Sequence, residues 1–175
     1  IRPDVLDDLT RRLLTVDLGQ AHDSSAVHRR VIDRLEAAGS AAALEPLREA
    51  ASNAALALAH GNLARYGEAL RANTEAQTHL DPDLVCADAH QAFDLAAAHG
   101  AVGWKVNGAG GQGGSLTIVG PAEPDALAAL RRDLDADSRW RVLDLRPSAT
   151  GVRVRPGAHE SPAPDPSPTA DEVGP

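Results

Sequence analysis

The chain has 175 residues, 43% of them hydrophobic, and a formal net charge of −8 at pH 7. That length allows one domain with a real core and is too short for a large multidomain enzyme. The acidic balance, with no local cluster of Lys and Arg, argues against a DNA- or RNA-binding protein, and no apolar run approaches the ~20 residues of a bilayer span.

A single cysteine, Cys86, cannot form an internal disulfide, and no signal-like apolar stretch opens the chain. A cytoplasmic location is therefore expected. The sequence begins at Ile1 and contains no methionine, which predicts a fragment of a longer protein.

In chain order, "RRLLTVDLG" has the aliphatic density and closing Gly19 of a buried strand. A helix follows, capped by Ser24 or Ser25, with Val27, Val31, Leu35 and Ala38 on one face and Gly39 at its end. Leu44, Leu47, Ala51, Ala54 and Leu58 predict a second helix, in which Pro46 is tolerated only because it lies in the first turn. Gly61 is its expected C-terminal cap, and Asn62 caps a third helix. "DPD" at Asp81 to Asp83 opens a fourth, which carries Val85, Ala89, Ala92 and Ala96 to Gly100.

The period then shifts to extended structure in "AVGWKV", and "SLTIVG" reads as its strand partner. A helix near Pro124 to Arg132 precedes two further strands, "RWRVLDL" and "GVRVR", with Arg139, Arg141, Arg153 and Arg155 on exposed alternations. From Pro156 onward prolines, acids and small residues replace apolar ones, so residues 156–175 are expected to form a disordered tail. The architecture is α+β, a small mostly antiparallel sheet covered by helices over residues 1–155.

Between the two central strands lies "NGAGGQGG", residues 107–114, with glycine at 108, 110, 111, 113 and 114. Such density serves unusual backbone dihedrals or close approach to another group. A Walker loop would need G-K-[ST] at its end, where Gly114, Ser115 and Leu116 stand instead. A dinucleotide fingerprint would open a helix, whereas a strand pattern follows here. What remains is a loop between strands, longer than a plain hairpin turn, with Lys105 and Asn107 at its mouth. The bland alternative is a flexible surface connector.

"GWKVNGAGGQGGSL" resembles the third signature motif of the GHMP small-molecule kinases, whose pattern is close to K-x-[TN]-G-A-G-x-G-G. The resemblance extends over roughly Arg11 to Val154 and is closest to the sugar and heptose-phosphate kinase branch, where "HDSSAVH" at His22 to His28 has a counterpart. It implies a ferredoxin-like C-terminal domain and an ATP- and Mg2+-dependent kinase acting on a sugar or sugar phosphate. It also implies that Lys105, Asn107, Gly108, Ala109, Gly110, Gly111, Gly113 and Gly114 lie beside the nucleotide phosphates. Asn107 replaces the commoner Thr or Ser, and Ser115 the commoner Cys, so the hydrogen bonding at both ends of the loop is open. The N-terminal phosphate loop and acidic base of full members are missing from these residues. The resemblance is to half an enzyme, whose other half lies in the same or an adjacent chain, and no catalytic residue is named.

Two more clusters are candidate substrate contacts. His22, Asp23, Ser24 and Ser25 precede or open a helix, where backbone donors and the dipole favour an anion such as a sugar phosphate; ordinary capping is the alternative. The stripe Leu63, Tyr66, Leu70 continues as Asn73, Thr74 and Gln77, so a helix face turns polar halfway and can line a cleft, or simply emerge into solvent. His22 and His28 lack a zinc-type ligand set, and Cys86 reads as packed core. The competing function is a noncatalytic ligand-binding or protein-interaction module that retains the fold.

Overall fold

A computed structural model describes residues 1–20, 24–38, 41–148 and 150–151. Helix α1 (Pro3–Arg12) runs into strand β1 (Leu13–Asp17), followed by α2 (Ser24–Ala38), α3 (Glu45–His60) and α4 (Leu63–Leu80). After a 3-10 turn (Pro82–Leu84) come α5 (Ala87–Ala98), β2 (Gly103–Val106), β3 (Ser115–Val119), α6 (Pro124–Ala136) and β4 (Arg141–Leu143). The four strands form one antiparallel sheet in the order β2-β3-β1-β4.

Local chemistry explains most boundaries. Pro46 occupies the first turn of α3, and Gly61 ends that helix at φ 71°. The Asn62 side chain accepts the Arg65 amide at 3.0 Å and so caps α4. Three expectations need correction. Residues 3–10, which carried no assignment, form α1 together with Arg11 and Arg12, both expected in the strand; Asp4 lies in its first turn and the two arginines in its last, as the helix dipole favours. Asp81 to Asp83 do not open the fourth helix: they belong to the separate 3-10 turn, and α5 starts only after Cys86, its extended N-cap. On α3 the buried residues are Ala50 and Ala57, whereas Ala51 is exposed, so the packed stripe is rotated from the expected one. "GVRVR" beyond Gly151 and the tail from Pro156 lie outside the described residues, as does Gly39.

The strands alternate as a half-buried sheet dictates. Leu14, Val16, Val106, Leu116, Ile118 and Val142 face α5 and α6, meeting Ala89, Ala92, Phe93, Ala96, Leu130 and Leu134 in the main core. On the opposite face Val119 packs with Val5, Leu9, Leu63 and Leu70 of α1 and α4. The same face then turns polar across the register Lys105, Thr117, Thr15 and, one step on, Ser115 and Asp17.

Helix α4 lies along the free edge of β2 at unusually short range. A Cβ on Gly67 would overlap the Val102 carbonyl and lie 2.9 Å from the Gly103 nitrogen, so only two facing glycines permit the contact. Arg71 donates to the Val102 carbonyl, and Thr74 Oγ1 to the Trp104 carbonyl at 3.2 Å. The Trp104 ring stacks on Phe93 with centroids 5.8 Å apart and also carries the Arg71 guanidinium at 5.5 Å. No helix among the described residues is long and apolar enough to cross a membrane.

Candidate functional site

The glycine loop leaves β2 at Asn107 and enters β3 at Ser115. Asn107 closes its neck: the backbone amide donates to the Ser115 carbonyl at 2.9 Å, Nδ2 donates to Ser115 Oγ at 3.1 Å, and Oδ1 accepts from Thr117 Oγ1 at 2.9 Å. Asn107 and Ser115, one at each end of the loop, are thus bonded to each other.

Within the loop Gly108, Gly110, Gly111 and Gly114 take φ values of 64°, 60°, 89° and 89°. Such left-handed backbone is the province of glycine. Gly110 also meets the demand for close approach, because a Cβ there would overlap the Leu84 carbonyl oxygen and lie 2.9 Å from the Leu84 carbonyl carbon and from Val106 Cγ1. Gly108, by contrast, is exposed, with nothing within 4 Å of a notional Cβ. The loop therefore uses glycine for both reasons, at different positions.

Four anchors hold it. The Gly111 amide donates to Leu84 at 3.3 Å, and Gly111 bridges Val85. The Leu18 amide donates to the Gly114 carbonyl at 2.9 Å, and Gln77 Nε2 donates to the Gly108 carbonyl at 3.4 Å. Among the described residues, the amides of Gly108, Ala109, Gly110, Gln112, Gly113 and Gly114 donate to no backbone carbonyl. Three of these residues, Gly108, Gly110 and Gly114, have left-handed backbone, and unclaimed N–H groups beside such turns are the kind of donor that an anion-binding site uses.

Lys105, the only lysine of the chain, sits two residues before the loop on the polar face of the sheet. It is half-buried, its Nζ donates to the Val106 carbonyl at 2.6 Å, and burial lowers its pKa from the ordinary value. No carboxylate among the described residues pairs with it. An unpaired, partly desolvated ammonium gains by meeting an anion.

The structure brings some of the other candidates toward this loop. Gln77 is buried and touches it directly, while Asn73 lies half-buried one turn earlier on α4. His22 and Asp23 lie outside the described residues. Ser24 is the first residue of α2, and Ser25 has a bonding partner. Their segment departs from the end of β1, where Leu18 is bonded to Gly114. Cys86 is a free thiol at the N-cap of α5, packed against the core. Among the described residues no group of three or more His, Cys, Asp or Glu is placed to hold a metal ion.

Two features of the loop's support escaped the sequence reading. Asp81, 1% exposed, accepts the Asp83 amide at 2.9 Å and so shapes the 3-10 turn on which Gly110 and Gly111 rest. Arg30 and Arg34 of α2 lie 3.5 and 3.6 Å from its other oxygen. The signal available for this was an acid immediately before a proline at a helix end.

No family model and no curated protein sequence matches the chain. Solved structures do. The fold is similar to that of a mevalonate kinase from L. major, crystallised with R-mevalonate, with a TM-score of 0.63 and 24% identity over 71% of this chain and 37% of that one. It is also similar to a protein from Campylobacter jejuni assigned as a sugar kinase, with a TM-score of 0.50 and 16% identity over 82% of this chain and 38% of that one. The chain thus spans well under half the length of either, and its α+β fold is similar to part of theirs.

Proposed function

We propose that this chain is the C-terminal half of an ATP-dependent small-molecule kinase of the GHMP type, which phosphorylates a hydroxyl of a sugar or sugar phosphate. The supporting observation is the glycine loop itself, with its unclaimed amides beside an unpaired Lys105. In this reading the ATP phosphates lie against Lys105 and residues 107–114. Magnesium arrives with the nucleotide and is held chiefly by its phosphates. His22, Asp23, Ser24, Ser25, Asn73 and Gln77 belong to the substrate side, and the reaction takes place in the cytoplasm.

Phosphoryl transfer requires positioned phosphates, a metal and an oriented hydroxyl, more than one loop supplies. The reading therefore includes a phosphate-loop domain in the same or an adjacent chain, and turnover by this chain alone is expected to be nil. The test is titration of the chain with pyrophosphate and with Mg·ADP, followed by amide chemical shifts. Saturable shifts confined to residues 105–114, weakened by added salt, are expected; no loop shift at millimolar ligand refutes the reading. A second reading, a noncatalytic ligand-binding module, is favoured by one observation. A cavity of about 600 Å³ opens between α3 and α4, lined by Ala50, Ala72, Ala76 and Leu80 and rimmed by Glu49 and His79.

A further inference from the structure

Helix α4 places three polar side chains, at positions 71, 74 and 77, on the face that meets the free edge of β2. Arg71 takes the Val102 carbonyl and Thr74 the Trp104 carbonyl, while Lys105 takes the Val106 carbonyl from the strand itself. Gln77 reaches past the end of the strand to the Gly108 carbonyl. It is the only one of the three whose partner lies in the glycine loop.

Gln77 is 9% exposed, and its Oε1 finds no hydrogen-bond donor among the described residues. A buried acceptor left unpaired is costly, and an apolar residue at this packed helix position would remove the cost. Packing alone therefore does not account for glutamine here.

The peptide that Gln77 holds does. The chain contains no cis peptide among its described residues, so the Gly108 carbonyl and the Ala109 N–H point in opposite directions across one planar unit. Drawing the carbonyl toward α4 turns the Ala109 N–H away from the helix. That peptide turns about ψ of Gly108 and φ of Ala109, and Gly108, with no atom within 4 Å of a notional Cβ, brings no side chain to fix it.

We propose that Gln77 is a positioning residue for anion binding by the loop: it sets the orientation of the peptide between Gly108 and Ala109, so that an N–H and not a carbonyl faces the phosphate. This deepens the kinase reading and rests on it for the identity of the anion.

The test uses Gln77→Met, which preserves length and removes both polar atoms, and Gln77→Leu as a second apolar variant in case Met packs poorly. Amide and carbonyl shifts at Gly108 and Ala109 are recorded without ligand, alongside the thermal midpoint and the affinity for pyrophosphate. The expected result is altered shifts at those two residues and pyrophosphate affinity reduced on the order of five- to tenfold, the scale of one lost hydrogen bond. The thermal midpoint should be unchanged or raised. Unaltered shifts at Gly108 and Ala109 in both folded variants overturn the proposal, as does affinity that falls only in proportion to stability. If the shifts move as expected but the unsubstituted chain binds neither pyrophosphate nor Mg·ADP, Gln77 still orients the loop and the nucleotide reading is what fails.

Discussion

Adding one methyl group to the loop at two positions separates the two uses of glycine. Gly108→Ala and Gly110→Ala both place an L-residue in left-handed backbone, at φ 64° and 60°, and each pays about 1 to 2 kcal/mol for it. At Gly108 nothing else is disturbed, because no atom lies within 4 Å of the new carbon. At Gly110 the methyl overlaps the Leu84 carbonyl and crowds Val106, so the loop must lift from the 3-10 turn. Overpacking costs about 1 to 3 kcal/mol, and the Gly111 bond to Leu84 contributes about 1 kcal/mol that is lost with it. Gly110→Ala is thus expected to destabilise by roughly 3 to 6 kcal/mol and Gly108→Ala by roughly 1 to 2. Urea unfolding with the slope held common to all three proteins reads the difference directly. Midpoints for the two variants equivalent to within about 0.5 kcal/mol would mean that the Leu84 contact does not constrain the loop, and the reasoning would be refuted.

Asp81→Asn keeps a carbonyl oxygen for the Asp83 amide but removes the charge facing Arg30 and Arg34. Because both arginines are about half exposed, the expected loss is on the order of 1 kcal/mol or less. Hydrogen exchange in α2 should rise severalfold, and uniform exchange across all helices would show that this contact does not tether α2. Lys105→Met tests the buried cation. With its pKa in the fold below the unfolded value of 10.5, Lys105 binds fewer protons folded than unfolded in the window between the two. Stability from this group therefore rises with pH across that window and levels off above 10.5. Thermal midpoints measured upward from neutral pH should climb in the unsubstituted chain relative to Lys105→Met; parallel curves would contradict the desolvation argument.

Local signals with a stereochemical cause were legible in the sequence. Gly61 and Asn62 marked the break between α3 and α4 because each satisfies backbone groups at a helix end. The strand pair around the glycine loop followed from the change of period. Features that depend on distant partners were not legible. Helix α1 passes into β1 with no turn residue between them, so nothing in the local pattern separates the two. Gly67 looks like a weak point in a helix until its neighbour Gly103 is known. The polar end of α4 was recognisable as polar, but its engagement with the backbone of β2 depends on a partner some thirty residues away. At the site itself the loop and its lysine stood out by composition, whereas the turn beneath them, set by the buried Asp81, did not.

The pairing of α4 with β2 also bears on how this chain behaves in concentrated solution. A sheet of four strands has two rims, and an open rim is a template on which another molecule can add a strand. Along β2 the helix has already consumed the outward carbonyls at Val102 and Trp104. At the other rim the Val142 N–H of β4 is taken by Asp135 Oδ1 at 3.0 Å, and β4 is only three residues long, with a charged Arg141 at its start. Among the described residues neither rim offers an unbroken row of free peptide groups, which disfavours strand-by-strand addition. A sheet guarded at both rims by its own side chains resists growth by edge pairing.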